Sequence, residues 1–400
     1  MWHISKEAKE KFLKCNLLPI QEEDEHWEIA LREAEEEGED IFTRLKEELD
    51  EVKEQLLQTL PSRFIPYVKD GTLNKPTLPK HVRDDYVQWM READKEFEQV
   101  LDAAYEQTKV AITYLPQAVQ EVFQESLHDA VIQQIIRDDK SLQLIINTDG
   151  GFSTKSLIHL HFKNVISEET NHPIEVGQWF IYDELQKRDN SFAFRVLFEC
   201  PESEWTITME SLDANYFYRP SLYTKLRDEE KLAETTFESY VSELNSEYRY
   251  WFITPDVSCA IQLLTPNIEF ENGEIEFFGK EYVVTVGNEK FSYHLDEHNP
   301  IAFIYTDIYE DPYAHLSEPV LVEDLEEAAL SDNIELQVRA WNTMYGNAKE
   351  LSSIINNVLL KIQMKEENEM LLSVYTNHFY KEGILAENVI EKFRDLIEFE

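Results

Sequence analysis

Two histidines at alternate positions, His159 and His161, are the nearest approach to a metal site in this sequence. On a strand they share one face, about 6–7 Å apart at Cα. Transition-metal sites use that spacing when a third ligand completes the set. Asp183 and Glu184 fall on what reads as the neighbouring strand and are the candidate carboxylates. The same residues also fit a plain solvent-facing row, His159-His161-Lys163, opposite the apolar row Ile158-Leu160-Phe162. A lysine in that row works against a bound cation. The polar row is the reading carried forward, so no residue is assigned to a metal, a cofactor or catalysis.

Other constellations fail on spacing or context. His294 and His298 are four apart, but Asn299-Pro300 follows and leaves no helix to align them. His128-Asp129 reads as part of a helix, where adjacent residues do not face each other, so they form no base and orienter. The run Asp149 to Ser156 contains Gly150-Gly151 and Lys155 but lacks phosphate-loop spacing and leads into a strand. There is no GxSxG elbow, and Cys200 and Cys259 have no adjacent base in sequence.

The elements that must position these residues divide into four stretches. From about Glu22 to Leu60, Phe42, Leu45, Leu49, Val52 and Leu56 step by three and four, a helical seam. A second seam follows Pro79, and the Pro- and Gly-containing segment between them predicts a helical hairpin. A third helix is expected over about Pro116 to Arg137. From Ser141 the pattern alternates, predicting strands at Leu142 to Thr148, Leu157 to Val165, Gln178 to Asp183, Phe192 to Phe198 and Trp205 to Met209. Short turns between them suggest an antiparallel meander. A second β-rich stretch runs from about Tyr248 to Ile308, and helical spacing returns after Glu318. The expected fold class is therefore α+β. Its regions are a helical one over 1–140, a β meander over 141–220, a β-rich module over 228–317 and a helical one over 318–400.

Charge narrows the function classes. The 400 residues hold 80 Asp and Glu against 37 Lys and Arg, a formal net charge of -43. Such a surface repels nucleic-acid phosphates and anionic membranes. It suits solubility, or docking of a basic partner. The acidic run Glu35, Glu36, Glu37, Glu39 and Asp40 is the candidate contact patch. Three scattered cysteines, an N-terminus without an apolar signal core and the absence of a long apolar run make the cytoplasm the expected compartment.

A family resemblance rests on ordered blocks in the first ~210 residues. They are Met1-Trp2-His3-Ile4-Ser5-Lys6-Glu7, Glu125-Ser126-Leu127-His128-Asp129-Ala130, Leu160-His161-Phe162-Lys163-Asn164-Val165 and Trp179-Phe180-Ile181-Tyr182-Asp183-Glu184-Leu185. In these the chain resembles an uncharacterised bacterial domain of unknown function found mainly in spore-forming Gram-positive bacteria. The resemblance implies no catalytic residues. The function expected is that of a non-catalytic protein-protein interaction module, with immunity proteins and antitoxins as one subclass. The rival expectation is a metal-dependent hydrolase using the strand histidines and carboxylates.

Overall fold

The computed structural model describes residues 2–264, 267–270, 273–364 and 366–397. It is an α+β protein, with helices towards both ends of the chain and antiparallel sheets between them. Its contacts group into two units, Met1–Arg219 with Asn245–Tyr309, and Pro220–Leu244 with Glu310–Glu400.

The first unit opens with α1 (Lys6–Cys15), α2 (Asp24–Glu37), α3 (Ile41–Thr59), α4 (Ile65–Lys69), α5 (Lys80–Ile112) and α6 (Gln117–Phe123). The seam read over Glu22 to Leu60 is two helices, because Gly38 takes a left-handed φ of 71° and ends α2. Two residues on, the Asp40 side chain caps α3 by accepting from the Thr43 N–H. Leu49 and Leu56 of α3 share a core with Phe64, Val68, Val82 and Tyr86, so α3 and the start of α5 pack together.

Six strands follow, β1 (Val131–Asp138), β2 (Ser141–Asn147), β3 (Leu157–Thr170), β4 (Trp179–Lys187), β5 (Phe192–Glu199) and β6 (Ser203–Phe217). Two sequence expectations are corrected. The third helix stops at Phe123, and Val131–Asp138 is a strand. The sheet is also no meander but a closed barrel, in the order β1-β2-β3-β6-β5-β4. The β4–β5 hairpin is inserted between β3 and β6, which pair along most of their length, and β4 closes on β1 through Val131 and Trp179. Closure removes both edges. Leu160, Phe162, Phe194, Val196, Trp205 and Ile207 fill the interior, joined by Val119 and Phe123 of α6.

A second sheet in the same unit runs β12-β11-β10-β9-β8-β7-β13. It comprises β7 (Tyr250–Ile253), β8 (Ser258–Leu264), β9 (Asn267–Phe270), β10 (Gly273–Phe278), β11 (Glu281–Val286), β12 (Glu289–His294) and β13 (Ile304–Thr306). Ile253 and Tyr305 bury against Ile145, Leu157 and Phe217 on the outer face of the barrel. The second unit is helical, with α7 (Ser221–Asp228), α8 (Phe237–Glu243), α9 (Leu325–Ala329), α10 (Ile334–Gly346), α11 (Ser352–Lys361), α12 (Glu366–Lys381) and α13 (Glu387–Lys392). Its core gathers on Trp341, Ile355, Leu359, Leu372 and Phe379. Among the described residues no helix is long and apolar enough to cross a membrane.

Candidate functional site

The structure separates the residues proposed for a metal. His159 and His161 lie on β3, across from Asn215 and Asp213 of β6. Asp183 and Glu184 lie on β4, whose neighbours are β1 and β5. In a ring of six strands, β3 and β4 are three steps apart either way, so the histidines and the carboxylates belong to opposite walls, and the adjacent Asp183 and Glu184 point to opposite faces of theirs. Lys163 is paired with Asp213. Among the described residues no cluster of three His, Cys, Asp or Glu has metal-binding geometry.

Glu184 has a different task. Its carboxylate is fully buried and accepts from the backbone N–H groups of His3 at 2.7 Å and Ile4 at 2.9 Å. The His3 ring and the Gln186 amide add contacts at 3.2 and 2.6 Å. It therefore pins the N-terminal segment to the barrel, and every lone-pair direction is used.

Beside that anchor, a cleft of about 510 Å³ opens between the N-terminal segment, α5, the α6–β1 turn, the β2–β3 loop and β4. That size suits a small molecule. A bulge in β4 between Phe180 and Tyr182 interrupts its ladder with β5. Bulges commonly re-aim backbone and side chains next to sites. Here the Ile181 carbonyl meets His128 Nδ1 at 2.5 Å. A carbonyl only accepts, so Nδ1 carries a proton, while Nε2 lies 3.7 Å from Asp129 Oδ1. His128 is not helical as expected; it sits in a turn whose next residue, Asp129, has φ 64°. The Asp129 N–H donates to the Phe180 carbonyl at 2.8 Å, which ties the turn to β4.

The β2–β3 loop forms the rim. Glu125 accepts from the Lys155 ammonium at 2.7 Å, Ser153 Oγ at 2.7 Å, and Thr154 Oγ1 at 2.8 Å and N–H at 2.7 Å. Burial opposes its charge, but these donors together hold the carboxyl down at about 2. Lys155 is itself almost completely buried. Gly151 is required by the same closure, since a Cβ there would stand 2.5 Å from the His128 carbonyl oxygen. The clamp leaves Phe152 exposed over the cleft, with its ring 5.8 Å from His128. Sequence reasoning missed Glu125, Phe152 and Lys155 as a group, because only the fold brings the loop to the turn.

Asp183 supplies the unsatisfied charge. It lines the cleft partly buried, and among the described residues no donor reaches its carboxyl. Desolvation, with Glu184 adding repulsion and His128 a smaller opposite pull, pushes it up to about 7.

The acidic patch is only partly free. Arg91 holds Glu22, Lys80 holds Glu23 and Arg83 holds Asp24, so the first acidic run belongs to the packing of α5. Glu39 pairs with Arg44 at 2.8 Å, and Asp40 is the α3 cap. Glu35 and Glu36 are exposed and carry no ion pair among the described residues, whereas the Glu37 side chain lies outside them.

A family model described as protein of unknown function (DUF4085) matches residues 5–209, just over half of the chain, and with them almost the whole cleft. No curated protein matches. Among solved structures, an uncharacterized protein from Neisseria gonorrhoeae is similar over 23% of this chain and 94% of its own, at 12% identity and a TM-score of 0.18.

Proposed function

We propose that this chain, which belongs to the DUF4085 family, is a non-catalytic cytoplasmic interaction protein that docks a basic protein partner through the α2–α3 surface. The observation that carries the reading is the difference between neighbouring acids. Glu22, Glu23 and Asp24 are tied to α5, while Glu35 and Glu36 project into solvent with no ion pair among the described residues. Residues 22–54 contain sixteen acidic side chains against four basic ones, so the free pair sits in a strongly negative field. Such a field accelerates encounter with a basic surface and repels nucleic acid. An immunity or antitoxin role fits this chemistry; a spore-forming Gram-positive source is proposed from the ordered sequence blocks alone. The hydrolase reading has no comparable support, because its histidines and carboxylates stand on opposite barrel walls.

The test is co-purification from native extract at low salt, comparing Glu35→Gln/Glu36→Gln with a control, Glu247→Gln/Glu281→Gln. Both variants remove the same charge, and the control residues are exposed elsewhere. A partner lost from the first variant and kept by the second supports docking at α2–α3. Equal retention by both overturns it.

A further inference from the structure

We infer that the cleft beside Asp183 is a binding site for a small organic ammonium ion with an apolar body. Three features of the geometry converge on that chemistry. The cleft is walled by Ile4, Leu101, Phe123 and Ile181, which suit hydrocarbon. Phe152 and Tyr182 line it as well, each ring tilted against that of His128 with centroids 5.8 Å apart. Aromatic rings attract cations through their electron-rich faces. The cleft also holds the Asp183 carboxyl, which no donor of the described residues satisfies, while its other carboxylate, Glu125, is engaged by Lys155 and the loop. A cation is already tolerated at the rim, where the Lys109 ammonium lies 5.0 Å over the Tyr105 ring.

The alternatives fit less well. An anionic ligand would meet Asp183 and Glu125 inside a molecule of net charge -43. A neutral ligand would leave the Asp183 carboxyl without a charged partner. An ammonium placed at Asp183 makes a charge-assisted hydrogen bond in a partly desolvated site, where such bonds are strongest. The inference concerns β4 and the α6–β1 turn, so it does not depend on the docking proposed for α2–α3.

The experiment titrates the full chain with 2-phenylethylamine and with its neutral counterpart 2-phenylethanol, by calorimetry or NMR. The amine is expected to bind saturably and at least tenfold more tightly than the alcohol. Asp183→Asn should reduce that preference to less than twofold. Phe152→Ala, a change at an exposed position, should weaken the amine several-fold. Equal affinity for amine and alcohol, or an unaltered preference in Asp183→Asn, overturns the inference. Misfolding is separable from loss of the ligand. Asparagine removes a charge repelled by Glu184, so the variant should melt no lower than the native chain at pH 8 while binding falls. Glu35→Gln/Glu36→Gln should leave amine binding unchanged, which keeps this result apart from the fate of the docking surface.

Discussion

At the residue scale, the ionisable side chains that looked most chemical turn out to be set by burial. His159 packs edge-on to Phe217 at 5.6 Å, its Nε2 is buried without a hydrogen-bond partner among the described residues, and desolvation lowers its pKa to about 4. An unfolded chain takes up that proton near pH 6.5, whereas the folded one resists until about pH 4. The sign follows: His159 favours folding fully above pH 6.5, and that contribution is lost as pH falls towards 4. The size is up to about 3 kcal/mol. His159→Leu keeps the volume and removes the proton site. Urea unfolding at pH 7 and pH 4.5 should show the variant at least as stable as the native chain at pH 7, and losing less on acidification. Equal acid sensitivity in both would mean that His159 is protonated in the fold.

At the element scale, what decides legibility is whether a residue's neighbours lie close in sequence. The long helix after Pro79 was readable because its stripe Tyr86, Ala93, Phe97 and Ala104 is buried at helical spacing. Strand β1 was not readable. Val131, Ile132, Ile135 and Ile136 step as a helix would, because a bulge between Ile132 and Gln134 breaks the two-residue alternation. Helix α12 did leave a signal, with Leu372, Tyr375, Thr376 and Phe379 buried on one face, but a threonine interrupts its apolar stripe. The candidate site was legible only as blocks. His128 and Asp183 stood in the family-like segments, yet nothing in sequence brings residues 125–128 to 152–155. Caps are local and testable. Asp40 accepts from both the Thr43 N–H and hydroxyl, and those bonds lower its pKa. Asp40→Ala should therefore reduce the melting temperature by a few degrees and speed amide exchange at the start of α3, with Asp40→Asn retaining most of the native behaviour. A variant that exchanged like the native chain would show that α3 is held by Leu45, Leu49 and Leu56 alone.

At the scale of the whole molecule, topology and charge act over distances that no local pattern encodes. β3 pairs with β6 across the intervening β4–β5 hairpin, β4 closes the barrel on β1, and Tyr250–Ile253 returns from beyond Arg219 to cover its outer face. Against these attractive contacts stands a net charge of -43. Even if every Lys and Arg were paired, the 80 acidic residues less the 37 basic ones would leave 43 carboxylates uncompensated. Many of the ion pairs that do form, such as Lys11 with Glu96 and Lys280 with Asp296, join exposed side chains. Such exposed pairs contribute little to stability and weaken in salt. Folding brings the unpaired carboxylates together, so self-repulsion is larger in the folded state than in the unfolded chain. Raising the ionic strength shortens the Debye length from about 30 Å at 0.01 M to about 8 Å at 0.15 M. Repulsion summed over many carboxylates at long range is screened more strongly than a few contacts at hydrogen-bond distance. The melting temperature should therefore rise by several degrees over that range, and equally in NaCl and KCl, because screening does not distinguish the cations. A fall in melting temperature would mean that the exposed pairs outweigh the repulsion. A rise in only one of the two salts would point to a specifically bound cation instead of a screened surface.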